Sequence, residues 1–383
     1  MAQRSAIDQM LTVFAVVHDP RRQPPTTLHT LETIRTITIL ATIGGAQHWV
    51  EIAHWGQAQA AWLAACLDLP QGLPSHETCG RVLAGLDPES LQQAVVRWMQ
   101  ALADLSQAIV ALDGQTLRRA LDRADGQGPM HVVKAWAAAH ELVLAQCKVD
   151  AQTHESTALP AWLRRRTRAG AVVTIAAMGC QVEIARPMQA QGADDVLRFK
   201  ANQPGLYRDG DDLFTWLRGA HPREQPGAGG RADQVDGGHG RIETRRVWST
   251  DAREGVIAGE RWAGRTSLVR VESIRQLGEE ASVARRDDLS SLPGATDEDA
   301  QRLNRVIRTH GEIETRVHWV WDVAMGEDVN RTRQGESAQT LAFIRKLALN
   351  VWRQEPSVTV GIAARQKRAG WDHDYWLKIL SQT

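Results

Sequence analysis

Apolar residues at helical spacing fill the first hundred positions. Ile7, Met10, Leu11, Phe14 and Val17 recur every three or four residues, the period of one helix face. Asp19-Pro20-Arg21-Arg22 breaks that run. A second apolar segment spans 28–43 and halts at Gly44-Gly45, and a third resumes over 49–62. Ser75 precedes His76-Glu77 in the manner of a helix N-cap, and 86–103 reads as a further amphipathic helix. Residues 1–104 therefore predict a small all-helical domain.

The pattern changes near residue 107. Ala108-Ile109-Val110-Ala111-Leu112 is a short apolar run ending at Asp113-Gly114, as a buried strand ends at a turn. Further strands are predicted over 130–137, 142–149, 171–175 and 196–200, with helices over 157–168 and 182–191. The first three strands read as antiparallel and the rest as crossover units, giving a mixed sheet flanked by helices. This is the order of an RNase H-like core, though periodicity alone leaves other α/β folds open. The core's first part would cover 105–206. A β-rich insertion would cover 207–295, with strands at 241–248, 267–274 and 282–289. It opens with a flexible stretch, 219–240, holding seven Gly and two Pro. Helical periodicity returns at 297 and holds to about 350, so 296–383 would complete the core.

Composition adds limits. With 45 Lys+Arg against 45 Asp+Glu and 43% hydrophobic residues, the chain is globular, not disordered, collagenous or disulfide-rich. No stretch matches the roughly 20 apolar residues of a membrane helix. The N-terminus lacks a basic-then-apolar signal pattern, so the expected compartment is the cytoplasm. Cys66, Cys79, Cys147 and Cys180 are dispersed, which supports neither a zinc knuckle nor a disulfide framework. The zero net charge hides an imbalance: 301–383 carries 13 basic and 9 acidic residues. That end is the candidate face for a polyanion, or merely a solvated surface.

An RNase H-like core that cuts phosphodiesters needs carboxylates from distant segments, because two divalent ions clamp the attacking and leaving oxygens. It asks for one acid on the first strand, one just past the fourth and one on a late helix. Asp113 meets the first requirement, although Asp-Gly is also an ordinary turn. The second fails, because Ala176 stands where a carboxylate is wanted. Glu314 meets the third, and on a helix it shares a face with His310 and His318.

Several blocks in order then identify a family. They are Asp19-Pro20-Arg21-Arg22, Gly44-Gly45-Ala46, Pro74-Ser75, the run from Leu112 to Arg118, and that from Thr174 to Gln181. Phe199-Lys200-Ala201-Asn202-Gln203, the run from His239 to Arg245, and His310 to Asp322 with Gly326-Glu327-Asp328, Arg331 and Arg333 follow. Together they resemble the DDE transposases of bacterial insertion sequences, in the ISAs-type group that includes the H-repeat-associated proteins, over nearly the whole chain.

The resemblance implies a DNA-cutting and strand-joining enzyme. Asp113 and Glu314 would be catalytic ligands of Mg²⁺ or Mn²⁺, and Ala176 replaces the second catalytic Asp. Gln115, Arg119, Gly311 and Thr315 are further departures from the family pattern. The expected partners are double-stranded DNA, at the element ends and the target, and another copy of the chain. The candidates for DNA contact are Lys200, Asn202, Gln203, Arg308, His310, His318, Arg331 and Arg333, with the Arg164–Arg168 cluster a possible solvated face. With a methyl group at 176, two readings stand: a catalytically impaired transposase, or a non-catalytic DNA-binding protein descended from one.

Overall fold

The structure is a computed structural model that describes residues 12–21, 27–102, 108–117, 130–149, 169–177, 180, 186, 188–201, 203–219, 229–238, 240–251, 262, 264–326, 332 and 334–381. The element order begins with α1 (Leu31–Ile43), α2 (Trp49–Ala58), α3 (Ala60–Cys66), α4 (His76–Ala84) and α5 (Pro88–Leu102). Then come β1 (Ile109–Leu117), β2 (Met130–Ala137), β3 (Leu142–Val149), β4 (Val172–Ile175), β5 (Asp194–Phe199) and α6 (Pro204–Gly219). Four longer strands follow: β6 (Gly230–Gly238), β7 (Arg241–Asp251), β8 (Ser267–Leu277) and β9 (Glu280–Ser290). The chain ends with α7 (Asp297–Ile313), a π-helical turn (Glu314–His318), α8 (Trp319–Ala324), α9 (Ser337–Gln354), α10 (Ile362–Trp371) and α11 (His373–Ser381).

The chain forms two compact units. One comprises 1–104, 115–151 and 314–383; the other comprises 105–114 and 152–313. In the first unit α9 packs against α1, α4, α5 and β3, so distant segments share one core. Leu341, Phe343, Leu347 and Val351 are buried there. Asn350 seals β3: its Oδ1 accepts from Val143 N at 2.8 Å and its Nδ2 donates to Val143 O at 3.0 Å.

Local chemistry explains the helix starts. Thr30 and Ser75 accept from Thr33 N and Thr78 N, capping α1 and α4. Pro88 stands at the first turn of α5, where its missing N–H costs nothing, and Asp87 caps the free amides of Glu89 and Ser90. Thr296 and Asp299 cap α7 reciprocally: the threonine Oγ1 accepts from Asp299 N and the aspartate Oδ2 from Thr296 N.

The second unit carries a mixed sheet of strand order β1-β4-β5-β9-β8-β7-β6. β1, β4 and β5 are parallel; the remaining pairs are antiparallel. Leu303, Val306 and Ile307 of α7 cover the face formed by Val172, Val196, Val247, Val269 and Val271. β2 and β3 have the predicted limits and pair antiparallel.

Two expectations change. Part of the Gly-rich stretch is strand β6, since backbone pairing with β7 needs no side-chain pattern. Gly230 is required there, because a Cβ would strike Thr296 O. The predicted helix from 297 to 350 is interrupted by the π turn and by residues outside a helix after Ala324. The predicted helix 157–168 lies outside the described residues, as do 182–185 and 187 of the predicted helix 182–191, of which 186 and 188–190 are helical. Among those described, no helix is long and apolar enough to cross a membrane.

Candidate active site

Parallel pairing sets the site's register. Leu112 pairs with Ile175, and Ile175 pairs with Leu197. One position further on stand Asp113 on β1, Ala176 just past the end of β4, and Arg198 on β5. Side chains alternate between faces of a sheet, so Asp113 and Arg198 share the face of Ala111, Thr174 and Val196. That is the face covered by α7, because Thr174 Oγ1 lies 2.8 Å from Nδ1 of buried His310. Arg198 pairs in turn with Asp288 on β9, which extends the row.

The row is highly charged. Asp288 is fully buried and held by Arg286, whose Nε donates to Oδ2 at 2.7 Å and Nη2 to Oδ1 at 2.8 Å. A buried carboxylate with a bidentate guanidinium is satisfied. Arg198 is not: it is half-buried, its Nε is out of solvent with no acceptor, and it makes no hydrogen bond or ion pair among the described residues. Burial lowers its pKa, the neighbouring Arg286 charge adds to that, and Asp288 and Asp113 act in the opposite direction.

Glu314 opens the π turn, with its side chain 71% exposed. The buried His318 donates from Nδ1 to Glu314 Oε2 at 3.0 Å. Glu314 and His318 share a face as the spacing predicts, although the wider π turn replaces the regular α-helix from 314 on. Such turns recur at functional sites.

The predicted DNA contacts separate by environment. Lys200 is exposed. Gln203 donates from Nε2 to Cys180 O at 3.0 Å. Arg308 is ion-paired with Asp236. His310 and His318 are buried and hydrogen-bonded within the fold. Asn202, Arg331, Arg333 and the Arg164–Arg168 cluster lie outside the described residues. Sequence reasoning missed Arg198, Arg286 and Asp288. The one available signal was a charged residue, Arg198, at the parity of buried Val196 in a short strand.

The family described as Transposase DDE domain matches residues 104–351, and its companion, DDE_Tnp_1-associated, matches 11–99. The chain is thus a protein of the class that moves DNA segments. It belongs to the DDE transposase family, whose members carry out DNA polynucleotidyl transfer. It is 31% identical to a protein named as a transposase, YncI of Escherichia coli O157:H7, over 98% of this chain and 95% of the relative. It is 36% identical to an uncharacterized protein of the dhlA 3′ region of Xanthobacter autotrophicus, over 73% and 92%. It is 29% identical to YhhI of Escherichia coli K12, named as an H repeat-associated transposase, over 92% and 93%.

Proposed function

We propose that the chain is the transposase of a bacterial insertion sequence, with an RNase H-like core, and that it binds double-stranded DNA at the element's ends but cuts it poorly. The observation that carries this reading is the register of β1 and β4. Leu112 pairs with Ile175, so Asp113 and Ala176 are the next residue of each segment, and a second acid at 176 would complete a metal-binding set.

Asp113 and Glu314 are the metal-ligating carboxylates in this reading. His310 is pinned over Thr174, two residues before Ala176, and Glu314 follows His310 by four residues along the same helical run. The donor chemistry fits Mg²⁺ or Mn²⁺, which favour hard carboxylate oxygens. When bound, such an ion supplies Lewis-acid polarisation of the phosphodiester and lowers the pKa of the attacking hydroxyl. The strand fixes Asp113. His318 orients Glu314 through its Nδ1–H, as an outer-shell donor orients a ligand. Ala176 contributes no oxygen, so the chemical step is slower by orders of magnitude, while contacts to phosphate are unaffected. Two element ends must be held together, so the working form is a homo-oligomer on DNA in the cytoplasm.

The test is a cleavage assay in Mg²⁺ and Mn²⁺ on duplex DNA carrying the inverted repeats that flank the gene. Expected is slow nicking that Asp113→Ala or Glu314→Gln abolishes. Robust cutting by the unaltered chain, or cutting that survives either substitution, refutes the site. The methyl at 176 also favours a second reading, a non-catalytic end-binding protein. Restoring a carboxylate there separates the two: recovered cutting marks an enzyme with one lesion, and continued silence on DNA that is still bound marks a repurposed protein.

A further inference from the structure

The geometry points to Arg198 as a phosphate-binding residue, whose guanidinium takes a DNA backbone phosphodiester in the space beside Ala176 that a second carboxylate would otherwise claim. This rests on the reading of the chain as a DNA-binding transposase and goes beyond it by assigning a cation, absent from the predicted contacts, to the centre of the site.

Three observations converge. The first is position: the pairing of Ile175 with Leu197 brings Arg198 level with Ala176, on the same sheet face as Asp113. The second is the absence of a partner. Guanidinium groups withdrawn from water are normally paired, because an uncompensated charge there is costly. Arg270 obeys this with Asp287, Arg286 with Asp288 and Arg265 with Asp195. Arg198, half-buried in the same sheet, makes no ion pair among the described residues, and its Nε has no acceptor. The third is that the facing acid is taken: Asp288, the pairing partner of Arg198 on β9, is engaged by Arg286 through both oxygens, and Asp113 exerts the smaller pull of the two on the guanidinium. The planar fork of Arg198 therefore retains its donors for an incoming anion. A phosphodiester suits it, because two parallel N–H···O bonds match a phosphate edge.

The alternative occupant is the carboxylate of Asp113, which would make the site a closed internal ion pair. Removing the charge separates the two. Arg198→Met keeps the apolar stem and deletes the guanidinium; Arg198→Lys restores the charge without the fork. The measurement is binding of a fluorescein-labelled duplex of mixed sequence across a salt series in EDTA, alongside thermal unfolding of each variant.

For Arg198→Met the expected result is roughly tenfold weaker binding and a salt slope shallower by about 0.9, the signature of one lost phosphate contact. Arg198→Lys should recover the slope and part of the affinity. The melting temperature of Arg198→Met should be unchanged or higher, since no native ion pair is lost. Equal affinity and slope in the parent and Arg198→Met would overturn the assignment while leaving the functional reading intact. Lower thermal stability in Arg198→Met would identify the internal pair with Asp113 and overturn it as well. Failure of the parent chain to bind duplex DNA would refute the functional reading itself, and this assignment with it.

Discussion

Restoring a carboxylate by Ala176→Asp has an outcome that the register of the sheet makes quantitative. Adjacent strands lie about 4.8 Å apart, so the new side chain would stand beside Arg198 as well as beside Asp113. A cation within about 4–6 Å lowers a carboxyl pKa by roughly 1–3 units, and each unit corresponds to about 1.4 kcal/mol of attraction. That attraction holds the restored carboxylate away from a divalent ion. Ala176→Asp alone should therefore tighten Mn²⁺ binding less than it does when combined with Arg198→Met. Arg198→Met by itself also removes a repelling cation, so the informative quantity is the coupling in a double-mutant cycle, which should be about 1–2 kcal/mol. Calorimetric titration of Mn²⁺ into the parent chain, both single variants and the double variant reads it directly. Additivity to within about 0.3 kcal/mol would place Arg198 out of reach of position 176 and refute the register argument. A second consequence uses no metal: Ala176→Asp should weaken duplex binding in EDTA, because its carboxylate neutralises the guanidinium.

Other expectations follow from the structure. Asp195 and Arg265 form an ion pair with both side chains almost fully buried, so Asp195→Asn should cost about 3–5 kcal/mol in urea unfolding. Adding Arg265→Met should recover most of that loss, and a neutral Asp195→Asn would contradict the pairing. Burial pushes the thiols of Cys79 and Cys180 up to about 12, leaving on the order of one thiolate in ten thousand at pH 8. Iodoacetamide followed by peptide mass mapping should label half-buried Cys66 in the native protein but reach Cys79 and Cys180 only in denaturant. Comparable native labelling of either buried thiol would show that its environment opens. Gly311 lies in α7 with open space where a Cβ would project, so Gly311→Ala should stabilise by about 0.5–1 kcal/mol without altering DNA binding. A destabilised variant would mean that the space is occupied.

What the sequence made legible, and what it hid, follows from the range of the forces. β2 and β3 begin and end as their apolar runs predict, because alternation and a short connection are local properties. The caps at Ser75, Asp87 and Thr296 are also local, but only Ser75 stood out beforehand. β6 was hidden in a Gly-rich stretch, since its hydrogen bonds come from β7 and Gly230 answers a close approach by Thr296. The π turn was hidden for the opposite reason: its residues fit a helical pattern, and one widened turn leaves almost no trace in hydrophobic period.

Asp113 and Glu314 could be singled out because the required chemistry has few side chains to choose from, and Ala176 because a methyl in a carboxylate's position is a chemical contradiction. Arg198 carried no such mark. Its meaning depends on register, since a slip of one residue in β5 would move it to the opposite face of the sheet. Once the register is fixed, the methyl at 176 and the cation at 198 become one arrangement. A carboxylate at 176 would have paired with Arg198 across the strands. Its absence leaves a half-buried guanidinium with donors to spare beside Asp113. In the proposed reading, a site so altered lacks an oxygen for metal and keeps a positive charge for phosphate. That combination favours holding DNA over cutting it, so the same pair of positions accounts for both halves of the proposed behaviour.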